Sequence, residues 1–230
     1  MQIISFSLFV SMFLIIVTSC DTSSETKSPN EYKPQVSLET DTLIGESADV
    51  NIVEHPVDPI TQIKNEYDLI MDQLEKGKFV SKVYYYECPN FPEEGTITFY
   101  SDSVGIRMIE NEAVQGSHGG ETATYYLKNG QLFFVYQVQS YWSFAQGSDQ
   151  ENPSTVDHVS EYRFYLYENE LIKCLVKNYS AKDNEDLDEK GKATNNVNVE
   201  CKAYDDLNDK LSILMNQYGG EEHLNCIWLQ

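Results

Sequence analysis

Three stretches of this chain share one layout, and that layout confines the fold. Residues 99–109, 125–135 and 164–174 each open on an aromatic pair (Phe99-Tyr100, Tyr125-Tyr126, Phe164-Tyr165), pass a short polar turn and close on an aliphatic run. Aromatic and β-branched residues on either side of a turn form the pattern of a β-hairpin. Asn129-Gly130 is the strongest of the turns, because both residues tolerate the positive φ that matches hairpin twist. Asn169 serves the same purpose in the third unit. Repetition of the unit predicts an antiparallel meander. Residues 79–86, rich in Val and Tyr, add a strand that Pro89 and Pro92 end.

Helical periodicity flanks this region. Asp58 is a good cap and Pro59 costs little in a first turn. Ile60, Ile63, Tyr67, Ile70, Met71 and Leu74 then recur at three- and four-residue steps, which predicts a helix over 60–75 stopped by Gly77. Tyr204, Leu207, Leu211, Leu214, Met215 and Tyr218 predict a last helix over 201–218, stopped by Gly219-Gly220. The tail from Leu224 to Leu229, with Trp228, adds or covers an edge strand. The expected class is α+β: one antiparallel sheet of about six to eight strands, flanked by an N-terminal and a C-terminal helix. Such a sheet could curl into a half-barrel over the helices. Residues 115–120, 145–157 and 180–198 are polar and read as loops. The acidic run of the last loop does not place ligands at EF-hand positions, since its sixth residue from Asp183 is Asp188 and its twelfth is Thr194.

The 230 residues divide into an apolar leader over 1–19, a Ser-, Thr-, Glu- and Pro-rich linker over 20–60, and one α+β domain over 61–230. The linker lacks the apolar surface needed to offset its ordering entropy. The apolar run from Ile3 to Val17 is about 15 residues, short of the roughly 20 that span a bilayer, and suits a signal peptide. It closes on Val17-Thr18-Ser19-Cys20, which resembles the bacterial lipobox. The resemblance implies cleavage before Cys20 and acyl chains on it, a bacterial lipoprotein held at the cell envelope, periplasmic or surface-exposed. One acyl chain anchors marginally and two or more anchor stably. In overall plan the chain resembles acidic, tyrosine-rich lipoproteins of Bacteroidetes that have no assigned role.

Beyond Cys20 stand four cysteines, Cys88, Cys174, Cys201 and Cys226. An even number in an exported chain points to two disulfides, with three connectivities open, the alternative being free, buried thiols that act as small apolar groups. The preferred pairing joins Cys201 to Cys226 across the last helix and Cys88 to Cys174 across the sheet. The formal net charge of −21 repels phosphate backbones and argues against nucleic acid as a partner.

No catalytic residue, cofactor or metal site is assigned from the sequence. His55, His118, His158 and His223 do not match H-E-x-x-H, and no G-x-S-x-G elbow occurs. Tyr141-Trp142-Ser143-Phe144, running into a loop, reads as a strand end packed on the core or as a ligand platform. The expected function is a membrane-anchored envelope module that binds a protein, glycan or small ligand without catalysis. The rival is a periplasmic or surface hydrolase.

Overall fold

The structure, a computed structural model, describes residues 57–89, 92–149, 151–201 and 206–226. The expected leader, Cys20, nearly all of the linker, His55, Tyr204 and Trp228 lie outside the described residues. The first element is α1 (Pro59–Glu75). The Asp58 carboxylate caps it, accepting from the amides of Ile60 and Thr61 at 3.2 and 3.0 Å. Seven long strands follow: β1 (Val80–Cys88), β2 (Glu93–Ser101), β3 (Ile106–Gln115), β4 (Gly119–Lys128), β5 (Gln131–Phe144), β6 (Thr155–Tyr167) and β7 (Glu170–Lys182). Then come α2 (Leu187–Ala193), β8 (Val197–Val199), α3 (Leu207–Met215) and β9 (His223–Asn225).

Strands β1 to β8 pair in sequence order as an antiparallel meander, and β9 returns to lie parallel beside β1. The fold is therefore α+β, with eight meander strands. The three similar units of the sequence are β2–β3, β4–β5 and β6–β7. All three carry the same irregularity, at Tyr100/Ser101, Tyr126/Leu127 and Tyr165/Leu166. In each, one residue of the second strand is left out of the register: Arg107, Phe133 and Ile172. A bulge of this kind turns a side chain out of the period-two alternation. The second and third turns each hold two positive φ angles, at Asn129-Gly130 and Glu168-Asn169, as two-residue hairpins require.

Alternation splits the sheet into two unlike faces. One face carries Phe99, Ile109, Tyr125, Val135 and Phe164, which pack on Leu207, Leu211 and Leu214 of α3. The other carries Met108, Tyr126, Phe133, Phe134 and Tyr165, which pack under Ile63 and Ile70 of α1. The helices thus lie on opposite faces of the sheet, so it does not curl over both of them as expected. All these elements belong to one unit, Val53–Gln230.

An ion network holds α1 down. Glu66 bridges Arg107 and Lys128 at 2.7 Å each, and Arg107 also holds Asp102 at 2.9 Å. Arg107 and Glu66 are nearly buried, with side chains 10% and 11% exposed. Arg107 is the residue that the first bulge releases from the register.

Three expectations are corrected. The disulfides are Cys88–Cys226 and Cys174–Cys201, not the preferred pairing. Cys88 ends β1 and Cys174 lies on β7, six strand spacings or about 29 Å apart across the sheet. Cys226 follows β9 beside β1, and Cys201 follows β8 beside β7. The polar insert at 180–198 is not a plain loop: it completes β7 and forms α2 and β8. Its acidic residues serve locally, since Asp186 caps α2, Asp183 accepts from Thr155 and Glu185 pairs with Lys190. Gly191 lets α2 approach the Tyr179 ring, where a Cβ would come within 2.9 Å of a ring carbon. The last helix is shorter than expected, beginning at Leu207 and ending at Met215.

Replacing Arg107 by Met removes the cation between Glu66 and Asp102 in a nearly dry site, leaving Glu66 with Lys128 alone and Asp102 with only the Val104 and Gly105 amides. We expect a loss of about 3 kcal/mol in urea unfolding. The disulfides close loops of 138 and 27 residues, for which chain entropy assigns about 5 and about 3.5 kcal/mol. A Cys88→Ala/Cys226→Ala variant should therefore unfold at lower urea than Cys174→Ala/Cys201→Ala, by about 1.5 kcal/mol of stability.

Candidate functional site

The α1 face is only partly covered. Helix α1 roofs the rung Tyr100, Met108, Tyr126, Phe134, Tyr165. The next rung runs Val83, Thr98, Glu110, Thr124, Tyr136, Arg163, Leu175. After it come Tyr85, Thr96, Glu112, Thr122, Val138, Glu161 and Lys177. Where the roof ends, a half-open groove of about 460 Å³ lies between α1 and β5–β6. Its helix wall is Ile63, Lys64, Tyr67 and Asp68, and its floor is Phe134, Tyr136, Arg163 and Tyr165. That volume falls within the range of small-molecule sites, about 300–1,000 Å³. The walls are braced by ring contacts: Tyr67 meets Phe134 edge-on at 5.5 Å, and Phe134 meets Tyr165 at 5.0 Å.

Behind the floor sits the second ion network of the molecule. Glu161, 6% exposed, holds Lys177 at 2.7 Å and Arg163 at 2.6 Å, and the Tyr136 hydroxyl donates to it at 2.9 Å. Arg163 lies 4.8 Å from the Tyr136 ring centre and donates to Asn196 at 2.8 Å. Lys177 donates to the Gly191 carbonyl at 3.1 Å, so α2 closes the far side. Burial alone would raise the Glu161 carboxyl, but hydrogen bonds from Lys177, Arg163, Tyr136 and Tyr179 outweigh it and bring it down to about 2. Burial and the Glu161 charge push the Tyr179 hydroxyl up to about 12, and Tyr136 moves up for the same reasons. Glu161 is thus a fixed charge that orients Arg163.

The remainder of this face, over β2 and β3, is acidic. Burial raises the Glu110 carboxyl, and neighbouring Glu112 adds to the shift. Glu112 lies 3.5 Å from the Thr96 hydroxyl.

The histidines do not converge. His118 packs on Trp142 at 4.2 Å, and His158 stacks on Tyr141 at 4.6 Å. Tyr141 and Trp142 are consecutive on β5 and point to opposite faces, so the two imidazoles are separated by the sheet. Trp142 donates to the Ser117 carbonyl at 3.0 Å and meets Phe144 edge-on at 5.4 Å, an aromatic strand end that binds the neighbouring turn. Residues 119 and 120 begin β4 and leave only a short turn at 116–118. His223 is in β9, in register with Tyr85. Among the described residues no three His, Cys, Asp or Glu side chains gather as a metal site would need.

The groove is not legible in the sequence. Arg163 of the floor and the Glu161 and Lys177 beside it are spread over two strands, and with Tyr136 they meet only through the pairing of β5, β6 and β7. A signal was present: the chain has just two arginines, Arg107 and Arg163, both inside strands. No family model matches the chain, and neither a curated protein nor a solved structure matches it.

The depressed Glu161 carboxyl gives a pH signature. Its contribution is full above the ordinary value of 4.5 and is lost as pH falls towards about 2. Glu161→Gln should cost about 3 kcal/mol at pH 7 by leaving Lys177 and Arg163 without their carboxylate. It should also remove part of the acid-induced loss of stability, read from urea unfolding at pH 7 and at pH 3.

Proposed function

We propose that this protein is a membrane-anchored envelope lipoprotein that acts by binding a ligand rather than by catalysis, with the groove beside α1 as its site. The disulfides point to an extracytoplasmic protein, since such bonds persist in oxidising compartments. The lipobox resemblance at Val17-Thr18-Ser19-Cys20 supports the anchor on Cys20. The observation that carries the binding reading is the state of Glu161. Lys177, Arg163 and the Tyr136 hydroxyl hold it at 2.7, 2.6 and 2.9 Å, so its role is to fix the direction of the Arg163 guanidinium that lines the groove. Around it stand rigid aromatic walls, the composition of a recognition site.

A hydrolase remains the second reading, favoured by one observation. Glu110 is raised beside the second carboxylate of Glu112 on the open part of the face, as acid–base pairs are. Any turnover found should then disappear in Glu110→Gln while groove binding stays.

Two measurements test the favoured reading. Cys20→Ala should lose palmitate labelling and move from the detergent phase to the aqueous phase; unchanged partitioning with Met1 retained by mass spectrometry would refute the anchor. Small ligands found by ligand-observed NMR should lose their signal with Asp68→Trp, which fills the groove mouth from an exposed position. Ligands unaffected by the filled groove would place binding elsewhere.

A further inference from the structure

The groove reverses the sign of the chain around it. The protein carries 37 Asp and Glu against 16 Lys and Arg. At the groove, Lys64 lines the helix wall and Arg163 the floor, Lys173 lies 5.9 Å from the Tyr165 ring centre, and Lys177 stands beside the floor. Against these cations stand Asp68 on the rim and Glu161 beneath. Asp188 acts on Tyr179, which does not line the groove.

The two arginines differ in a telling way. Arg107 is held by two carboxylates, Glu66 and Asp102. Arg163 has one, and shares it with Lys177, so that cluster holds one positive charge in excess. Among the described residues, only two of the five guanidinium N–H groups of Arg163 are spent, on Glu161 and Asn196. Its guanidinium carbon lies 4.8 Å from the Tyr136 ring centre, and the bonds to Glu161 and Asn196 fix its direction. At the other end of the same rungs, Glu110 and Glu112 set an opposite potential. An anion on this face is repelled from β3 and drawn towards β6.

We propose that the groove takes a small organic anion, with one carboxylate, sulfonate or phosphate head on an aromatic or aliphatic body. The head meets Arg163 and Lys64, and the body lies along Tyr67, Phe134 and Tyr165. This rests on the binding reading above and adds the class of ligand. A guanidinium is the side chain best shaped for such oxyanions, and hydrogen bonds to charged groups are the stronger ones.

A matched pair of fluorescent probes separates the two ideas: 1-anilinonaphthalene-8-sulfonate, and N-phenyl-1-naphthylamine, which has the same rings without the sulfonate. Both are titrated into protein comprising residues 53–230 with its disulfides formed, the unit that holds every described element and both cores. The sulfonate should bind about tenfold more tightly than the neutral probe. Lys64→Glu, at an exposed position, should weaken the sulfonate about fivefold and leave the neutral probe unchanged. Arg163→Gln should bring the two to parity. Asp68→Trp should remove both.

If the probes bind equally and Asp68→Trp removes both, the anion preference is overturned while the groove stands as a binding site. If neither binds, or if the filled groove changes nothing, both ideas fall. A sulfonate affinity untouched by Lys64→Glu and Arg163→Gln also overturns the proposal, whatever the melting temperatures of the variants.

Discussion

A single carboxylate, Glu66, decides how the α1 face is used. It reaches from the helix to Arg107 and Lys128 on the sheet, both at 2.7 Å. Apolar contacts alone would let α1 slide along a row of tyrosines and phenylalanines, because dispersion is not directional. Charged hydrogen bonds in a nearly dry site do not tolerate such sliding. The position of α1 in turn sets the width of the groove beside it. Arg107 reaches Glu66 because it is the bulged residue of β3; strict alternation would have aimed it at the α3 core.

The bulge is the same device used three times with different residues. In the β4–β5 hairpin the released residue is Phe133, which packs under α1. In β6–β7 it is Ile172, which is exposed. Repetition gives the sheet its regular meander, and the exchange of Phe for Arg at one place gives it a specific helix contact. The second network, around Glu161, works at the uncovered side of the same face. There the ion pairs hold functional groups in place rather than secondary structure, and α2 shields them from the back through Gly191.

Local signals were legible in the sequence and pairings across strands were not. The Asp58 cap, the α1 stripe and the three hairpin units are encoded within a few residues of one another, and each forms where its pattern lies. The segment 180–198 misleads because its polar composition suits a loop, while its fold depends on Tyr179, Thr155 and Lys177 outside it. Disulfide pairing and the Glu161 network depend on strand order, which composition does not reveal. Once the order is known, Cys88 and Cys174 are too far apart to join. The scarcity of arginine does mark both networks, since a chain that otherwise relies on lysine places its only two arginines inside strands.

Both margins of the sheet are finished in the same manner. At one, the three-residue β8 lies on β7 and Cys201 is joined to Cys174; at the other, the three-residue β9 lies on β1 and Cys226 is joined to Cys88. Strands of that length contribute few hydrogen bonds of their own and depend on the covalent link to stay in place. In a reducing compartment both would peel away, baring backbone donors and acceptors along β7 and along the tyrosine-rich β1. Exposed margins of that kind template pairing with further copies. Oxidation of the thiols therefore shields both margins from strand-to-strand pairing as well as adding stability.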